Sequence, residues 1–331
     1  MDITVRQQME HIFIINPVSG TANALTTLGP AIKKASQELS ISYQIIQTEY
    51  PGHAREIAAK FSETGKPVRF YACGGDGTLN EVVSGTLGHD NAETACVPCG
   101  SGNDFVRNFG TQEDFLALRD LIQGESCTID LIKTQYGIAT AICSAGLDAQ
   151  VAYGIPKFRR LPFAGGETAY KLSILTSLCS KLGHKLRIEA DGEVFTGEYL
   201  MLAICNGRTY GGGFKAAPQA DMQDGLLDLV LVKKISRLRI AGVVSTYKQG
   251  RHIQDGVVIP KLRDVMVYRR VRNITVQTQD HRPIIVTQDG ECTPIMELHA
   301  QVDAGAVRVV LPKSISQRSA FIARSTSPQL G

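Results

Sequence analysis

Two regimes follow one another along this chain. Together they predict an α/β domain on a parallel sheet, followed by a mostly antiparallel β-sandwich. Three observations carry that prediction. Up to about residue 130, short apolar runs alternate with segments of helical spacing. Beyond it, alternating strand-like segments follow one another, separated by Gly, Asp and Asn turns. Finally, polar or glycine-rich turns close four successive strands of the first half, where open parallel sheets bind their ligands.

The elements read as follows. HIFII (11–15) is a short buried strand ending at Asn16-Pro17, and a helical stretch follows from about Thr21 to Leu39. SYQIIQT is the second strand. GHAREIAAKF resumes helical spacing, with Ala54, Ile57, Ala58 and Phe61 on one face. VRFYA is the third strand, Leu79, Val82 and Val83 open another helix, and TACVP is the fourth strand, running into CGSGND. In the second half GIATAICSAG, KLRIEAD, EVFTGEYLMLAICN, LLDLVLVKK, VMVYRRVRNITVQT, PIIVTQDGE and AVRVVLP read as strands. One helical interruption, Glu167 to Leu182, breaks the series. The expected division is a nucleotide-binding domain over 1–130 and a sandwich over 131–313, with residues 314–331 a short tail able to pack back on the first domain. The site is expected in the cleft between the two.

Composition narrows the class. With 43% hydrophobic and 20% charged residues, the 331-residue chain has enough apolar material for two cores. A net charge of +3 is too small for the basic excess of a nucleic-acid partner. The eight cysteines are scattered, mostly inside apolar runs, as reduced buried thiols are. Cys96 and Cys99 form a C-x-x-C with no second pair, which argues against a zinc or redox site. The first residues lack the basic start and apolar core of a signal peptide, and no run of about 18 apolar residues occurs, so a soluble cytoplasmic protein is expected.

The four turns are NPVSG (16–20), TEYPGHA (48–54), GGDGTLNE (74–81) and GSGND (100–104). Glycine lets backbone approach a ligand and turn its N–H groups toward an anion. A helix starting at Thr78 adds unpaired N–H groups and a positive dipole end. A polyphosphate suits this arrangement, yet neither G-x-x-x-x-G-K-[ST] nor a complete G-x-G-x-x-G is present. Asp76 sits where a phosphate approaches, so a Mg²⁺ or an ordered water must stand between them.

The series NPVSG, GGDGTLNEVVSG and PCGSGNDFVRNFG resembles the diacylglycerol kinase catalytic-domain family, which includes bacterial soluble lipid kinases and sphingosine kinases. CSAGLDAQV (143–151), NGRTYGGGFKAAPQADMQDGLLDLVLV (206–232) and QDGE (288–291) resemble its later blocks in order, so the resemblance spans about residues 10–312. The GGDGT turn is also similar to that of NAD kinases and phosphofructokinases.

The resemblance implies an NAD kinase-like first domain holding ATP, with a lipid approaching the β-sandwich. Implied nucleotide contacts are Asn16, Pro17, Ser19, Gly20, Thr48, Gly74, Gly75, Gly77, Thr78, Asn80, Glu81, Ser101, Asn103 and Asp104. Ser101 stands where many relatives have threonine and keeps the hydroxyl.

By itself QDGE reads as a type I′-like hairpin turn with a surface acid. The resemblance makes Glu291 the general base, with Asp289 beside it and Asp76 organising Mg²⁺. ADMQDGLLD reads by itself as a solvated turn, and an EF-hand is excluded by its ligand series. The resemblance implies instead a structural Mg²⁺ held by the Asp224 carboxylate and the backbone oxygens of Asp221 and Leu226. Lys215, in GGGFK, is a candidate for phosphate or headgroup contact.

PKFRRLPFAGG interleaves Lys157, Arg159 and Arg160 with Phe158, Leu161 and Phe163, which suits an anionic membrane surface and equally a surface loop packing its own apolar groups. The expected activity is ATP-dependent phosphorylation of a lipid hydroxyl, diacylglycerol by default, at a membrane surface. A homodimer occurs among relatives. The competing readings are an NAD kinase-like enzyme and a catalytically silent nucleotide- or lipid-binding regulator.

Overall fold

The computed structural model describes residues 9–20, 24–100, 103–159, 166–180 and 182–317. The chain divides into two compact units, residues 1–129 with 305–331, and residues 130–304.

The first unit is built on parallel strands. These are β1 (Glu10–Ile15), β2 (Tyr43–Gln47), β3 (Val68–Gly74) and β4 (Ala92–Pro98). They lie in the order β2-β1-β3-β4. Every residue of β3 and β4 is buried, the pattern of strands covered on both faces. The covering helices include α1 (Ala24–Leu39), α2 (His53–Ser62) and α3 (Asp76–Thr86). In α3 the apolar residues Leu79, Val82 and Val83 are all buried, each stabilising the unit by roughly 1.5–3 kcal/mol. In α2 Ala54, Ile57 and Ala58 are buried, while Phe61 is only half-buried. Two one-turn helices, α4 (Gln112–Leu116) and α5 (Leu118–Ile122), follow β4.

Arg69 on β3 stands directly opposite Glu93 on β4, and the buried pair closes at 2.8 Å. Arg308 donates to the other oxygen of Glu93 at 2.6 Å. A buried carboxylate is tolerable only with such partners.

Strand β5 (Glu125–Thr134) runs from the first unit into the second, which continues with β6 (Gly137–Ala139) and β7 (Ile142–Gly146). Helices α6 (Leu147–Arg159) and α7 (Gly166–Cys179) come next. Strands β8 (His184–Ala190), β9 (Glu193–Cys205) and β10 (Leu227–Lys233) precede α8 (Arg237–Lys248). A small hairpin of β11 (Ile253–Gln254) and β12 (Val257–Val258) leads to β13 (Met266–Val271), β14 (Asn273–Thr278), β15 (Ile284–Gln288), β16 (Glu291–Ile295) and β17 (Glu297–Leu311).

Strand β9 changes partners along its length. Its first half pairs with β8, and Met201–Cys205 pairs with β7 and β10. Alternate residues then serve two cores. Leu202, Ile204, Leu229 and Leu231 join Ile188, Ile274 and Leu298 in one. Ala203, Cys205, Val230 and Val232 join Ile240, Val243 and Tyr247 of α8 in the other.

Three expectations are corrected. The sandwich does not extend to residue 313, because Val309 and Val310 of β17 pair in parallel with Thr94 and Ala95 and so extend the first unit's sheet. Ser314 then donates twice to Asp120 in that same unit, at 3.1 and 2.7 Å. Among the described residues the second half holds three α-helices where one was expected. In α6, Gly154 and Pro156 dilute the helical signal. In α8 the Val-Val and Thr content reads as strand, although Ile240, Val243 and Tyr247 fall at helical spacing. Finally, α3 starts at Asp76 and not at Thr78. Residues 21–23, 160–165 and 318–331 of the expected helix, basic segment and tail lie outside the described residues.

Candidate active site

The strand order sets the turns after β1, β3 and β4 side by side, and these turns lock onto one another. Asn16 donates from its amide to Thr78 Oγ1 at 3.1 Å, and its own Oδ1 accepts from Val18 N–H. The carbonyl of Gly74 accepts from the N–H groups of Cys99 and Gly100 at 2.9 and 3.2 Å. The Gly20 backbone, at φ 83°, lies so close that a Cβ there would stand 2.5 Å from the Cys99 carbonyl oxygen. A Cβ on Gly100 would stand 2.7 Å from Gly75 Cα. Both positions therefore require glycine for close backbone approach.

Asp76, half-buried in the first turn of α3, accepts from the N–H groups of Asp104 and Phe105 at 3.2 and 3.4 Å. Asp76 thereby ties the turn after β4 to the start of α3. Asn103, at φ 49°, is 1% exposed; its amide donates to the Gly100 carbonyl, and its Oδ1 is a buried acceptor with no partner among the described residues.

Glu81, expected as a nucleotide contact, bonds to the turn before α2. Its two oxygens accept from Gly52 N–H at 2.9 Å and Ala54 N–H at 3.1 Å. It fastens the TEYPGHA turn and caps α2. Thr48 sits at the end of β2, its N–H bonded to the Ile15 carbonyl at 2.9 Å. Asn80 accepts from Ser84 Oγ at 3.4 Å, and Asp104 pairs with Arg107 at 3.4 Å. Pro17, Ser19 and Gly77 lie within the same turns, and Ser101 lies outside the described residues.

In the second unit, Asp289 and Gly290 at φ 46° and 100° make the type I′ turn joining β15 to β16, and Gln288 pairs with Glu291. The Asp289 carboxylate takes four hydrogen bonds. Oδ2 accepts from Thr140 N–H at 2.5 Å and its hydroxyl at 2.7 Å, and Oδ1 accepts from Ala141 and Ile142 N–H, each at 3.0 Å. These bonds commit its lone pairs to the fold, and Asp289 pins the hairpin. Glu291, two residues on, is exposed, and no hydrogen bond involves its carboxylate among the described residues.

One acid near this hairpin escaped the sequence reading. Asp148, in the first turn of α6, accepts from Tyr210 Oη at 3.1 Å, and burial pushes its carboxyl up to about 6. Its sequence signals are its place two residues after a buried strand and inside the CSAGLDAQV block. Tyr210 also anchors the three-glycine loop, whose ends bond reciprocally through Tyr210 and Phe214 at 2.9 and 2.8 Å. Lys215 beyond it is exposed.

The acids at 221–228 are engaged within the protein. Asp224 Oδ1 accepts from Leu226 N–H at 2.9 Å, and Oδ2 is held by the guanidinium of Arg270. Asp221 Oδ1 accepts from Gln223 N–H at 3.1 Å. Among the described residues no three His, Cys, Asp or Glu side chains converge as a metal site.

A parallel sheet with interlocked glycine turns, followed by a sandwich carrying an uncommitted carboxylate on a pinned hairpin, defines a phosphotransferase scaffold of the NAD kinase type. Residues 10–134 match the diacylglycerol kinase catalytic domain, and residues 141–311 match the YegS C-terminal NAD kinase beta sandwich-like domain. The chain belongs to the diacylglycerol kinase family. It is 32% identical over 254 residues to a diacylglycerol kinase of Bacillus subtilis, covering 74% of this chain and 81% of the relative. It is 28% identical over 267 residues to one of Staphylococcus saprophyticus, covering 80% and 84%. A crystal structure of a diacylglycerol kinase from Bacillus anthracis shares the fold, with TM-score 0.66 at 18% identity over 92% of this chain and 98% of that one.

Proposed function

We propose that this chain is an ATP-dependent lipid kinase that transfers the γ-phosphate to a lipid hydroxyl, with diacylglycerol as the acceptor. The observation that carries the reading is the exposed Glu291 on a hairpin that Asp289 holds in place. A general base needs a fixed position and an unoccupied lone pair, and Glu291 has both. The first unit supports the donor side. The first-turn N–H groups of the eleven-residue α3 take the phosphates, aided by its dipole.

In this reading Asn16 and Thr78 act by fixing the turns to each other, and Glu81 by fixing the Thr48–Ala54 turn. Asp76 and Asn103 hold the Mg²⁺ and its water shell. When bound, that ion supplies charge neutralisation on the phosphates. Glu291 takes the proton of the attacking hydroxyl.

The membrane-facing surface is proposed on the helical pair α6–α7. Tyr153 and Leu175 are 54% and 59% exposed there, and Lys157 is exposed as well. Apolar groups beside a cation suit an anionic lipid surface. Among the described residues no helix is long and apolar enough to cross a membrane.

The test is incubation with Mg²⁺, γ-labelled ATP and vesicles containing diacylglycerol, with Glu291→Gln alongside. Labelled phosphatidic acid from the wild type and little from the variant is expected. ATP binding without labelled lipid would sink the reading, and labelled NAD in a parallel reaction would replace it with an NAD kinase. For the surface, Lys157→Glu should weaken binding to anionic vesicles; unchanged binding removes that part.

A further inference from the structure

We infer that Arg270 does the work of a structural divalent cation in this chain, so that the turn at 221–228 is held by an internal charge and does not bind Mg²⁺. The inference is independent of the phosphotransfer reading.

The turn gathers like charges. Asp221, Asp224 and Asp228 lie within eight residues, and Asp130 joins them, its Oδ2 accepting from Gly225 N–H at 2.7 Å. Asp228 is 1% exposed. Carboxylates placed this closely repel one another unless a positive charge stands among them. In the family resemblance that charge is a metal. Here the backbone delivers a guanidinium instead.

Two independent features place it. The antiparallel register of β10 and β13 sets Arg270 directly opposite Asp228, so the two side chains leave the same face of the sheet. The guanidinium then pairs with Asp224 Oδ2. Arg272, two residues further along, donates to the Gly225 carbonyl at 3.4 Å, so a second arginine closes the other side of the turn. A guanidinium suits this role because its donors fan out in a plane and its charge is permanent. A divalent ion on Asp224 would stand beside the fixed like charge of Arg270.

The discriminating measurement is thermal unfolding of the nucleotide-free protein, in chelator and in Mg²⁺, for the wild type, Arg270→Met and Asp224→Asn. A site bound by metal at about 100 times its dissociation constant raises Tm by roughly 5–10 °C in a unit of this size. For the wild type a shift within about 1 °C is expected, equal to that of Asp224→Asn. Arg270→Met should melt lower in chelator and recover part of the loss in Mg²⁺. Terbium luminescence gives a readout separate from stability, with sensitised emission from Arg270→Met and none above the Asp224→Asn background from the wild type. A Mg²⁺-dependent rise in wild-type Tm that Asp224→Asn abolishes overturns the inference. So does an Arg270→Met variant that melts like the wild type in chelator. Should Arg270→Met fail to fold, Arg270→Lys, which keeps the charge and loses the fork, takes its place. It should then melt below the wild type in chelator without gaining a Mg²⁺ response.

Discussion

The turn after β3 and the turn between β15 and β16 each set acids among glycines, and they use them differently. In Gly75-Asp76-Gly77 a single carboxylate accepts long hydrogen bonds from the N–H groups of Asp104 and Phe105, at 3.2 and 3.4 Å. In Asp289-Gly290-Glu291 the first carboxylate accepts four, and the second accepts none among the described residues. An acid's hydrogen-bond load, more than its neighbours in sequence, decides whether it serves the fold or remains available for chemistry. In the proposed reading, splitting the two duties between Asp289 and Glu291 gives a base that is both placed and unoccupied.

The sharpest way to break the comparison is Glu291→Gln. It should lower kcat by about 10²–10⁴-fold and leave Tm and the KM for ATP in place. Asp289→Ala should do the reverse. Losing one charged acceptor strands four donors and costs roughly 3–5 kcal/mol, seen as a fall in Tm of the order of 10 °C. If Asp289→Ala lost activity as steeply as Glu291→Gln at unchanged Tm, the assignment of duties would be reversed.

In the first unit, Gly100→Ala drives a Cβ against Gly75 and should destabilise by about 1–3 kcal/mol while weakening ATP binding in isothermal titration. Glu81→Gln keeps the shape but leaves only one acceptor oxygen, at a cost of about 1 kcal/mol in urea unfolding.

The smallest effect is in the pH dependence, where the two units differ in sign. Burial lowers His11 of the first unit and His252 of the second to about 4. The stability gained by keeping them neutral is present above 6.5 and is lost as pH falls from there through 4. Burial raises Asp148 and Asp228, both in the second unit, to about 6. Their contribution runs the other way: it is greatest below 3.8 and falls as pH rises through 6. Acidification from about pH 7 to 5 should therefore weaken the first unit, while in the second the aspartates offset His252. Hydrogen exchange resolved by residue would show it. Equal loss of protection in both units would contradict these assignments.

Much of the fold was legible because its signals are local. β3 and β4 are unbroken apolar runs, and Ala54, Ile57 and Ala58 recur at helical spacing. The two unforeseen helices were illegible for a physical reason. Gly154 and Pro156, and the Val-Val of α8, carry propensities that only tertiary packing overrides. Of the site, the glycine turns could be read as phosphate turns from backbone chemistry alone. The roles of Asp289, Glu81 and Arg270 could not, since their partners lie 149, 29 and 46 residues away.

By itself, then, the sequence determined the succession of a parallel α/β unit and a sandwich, together with the order of its phosphate turns and acid blocks. Periodicity and glycine placement are properties of neighbours along a chain. Only the tertiary structure decided which acids are committed and which are available. That depends on strand register: Asp228 faces Arg270 and Gln288 faces Glu291 because β10–β13 and β15–β16 pair as they do. A shift of one residue would turn each of these side chains to the opposite face.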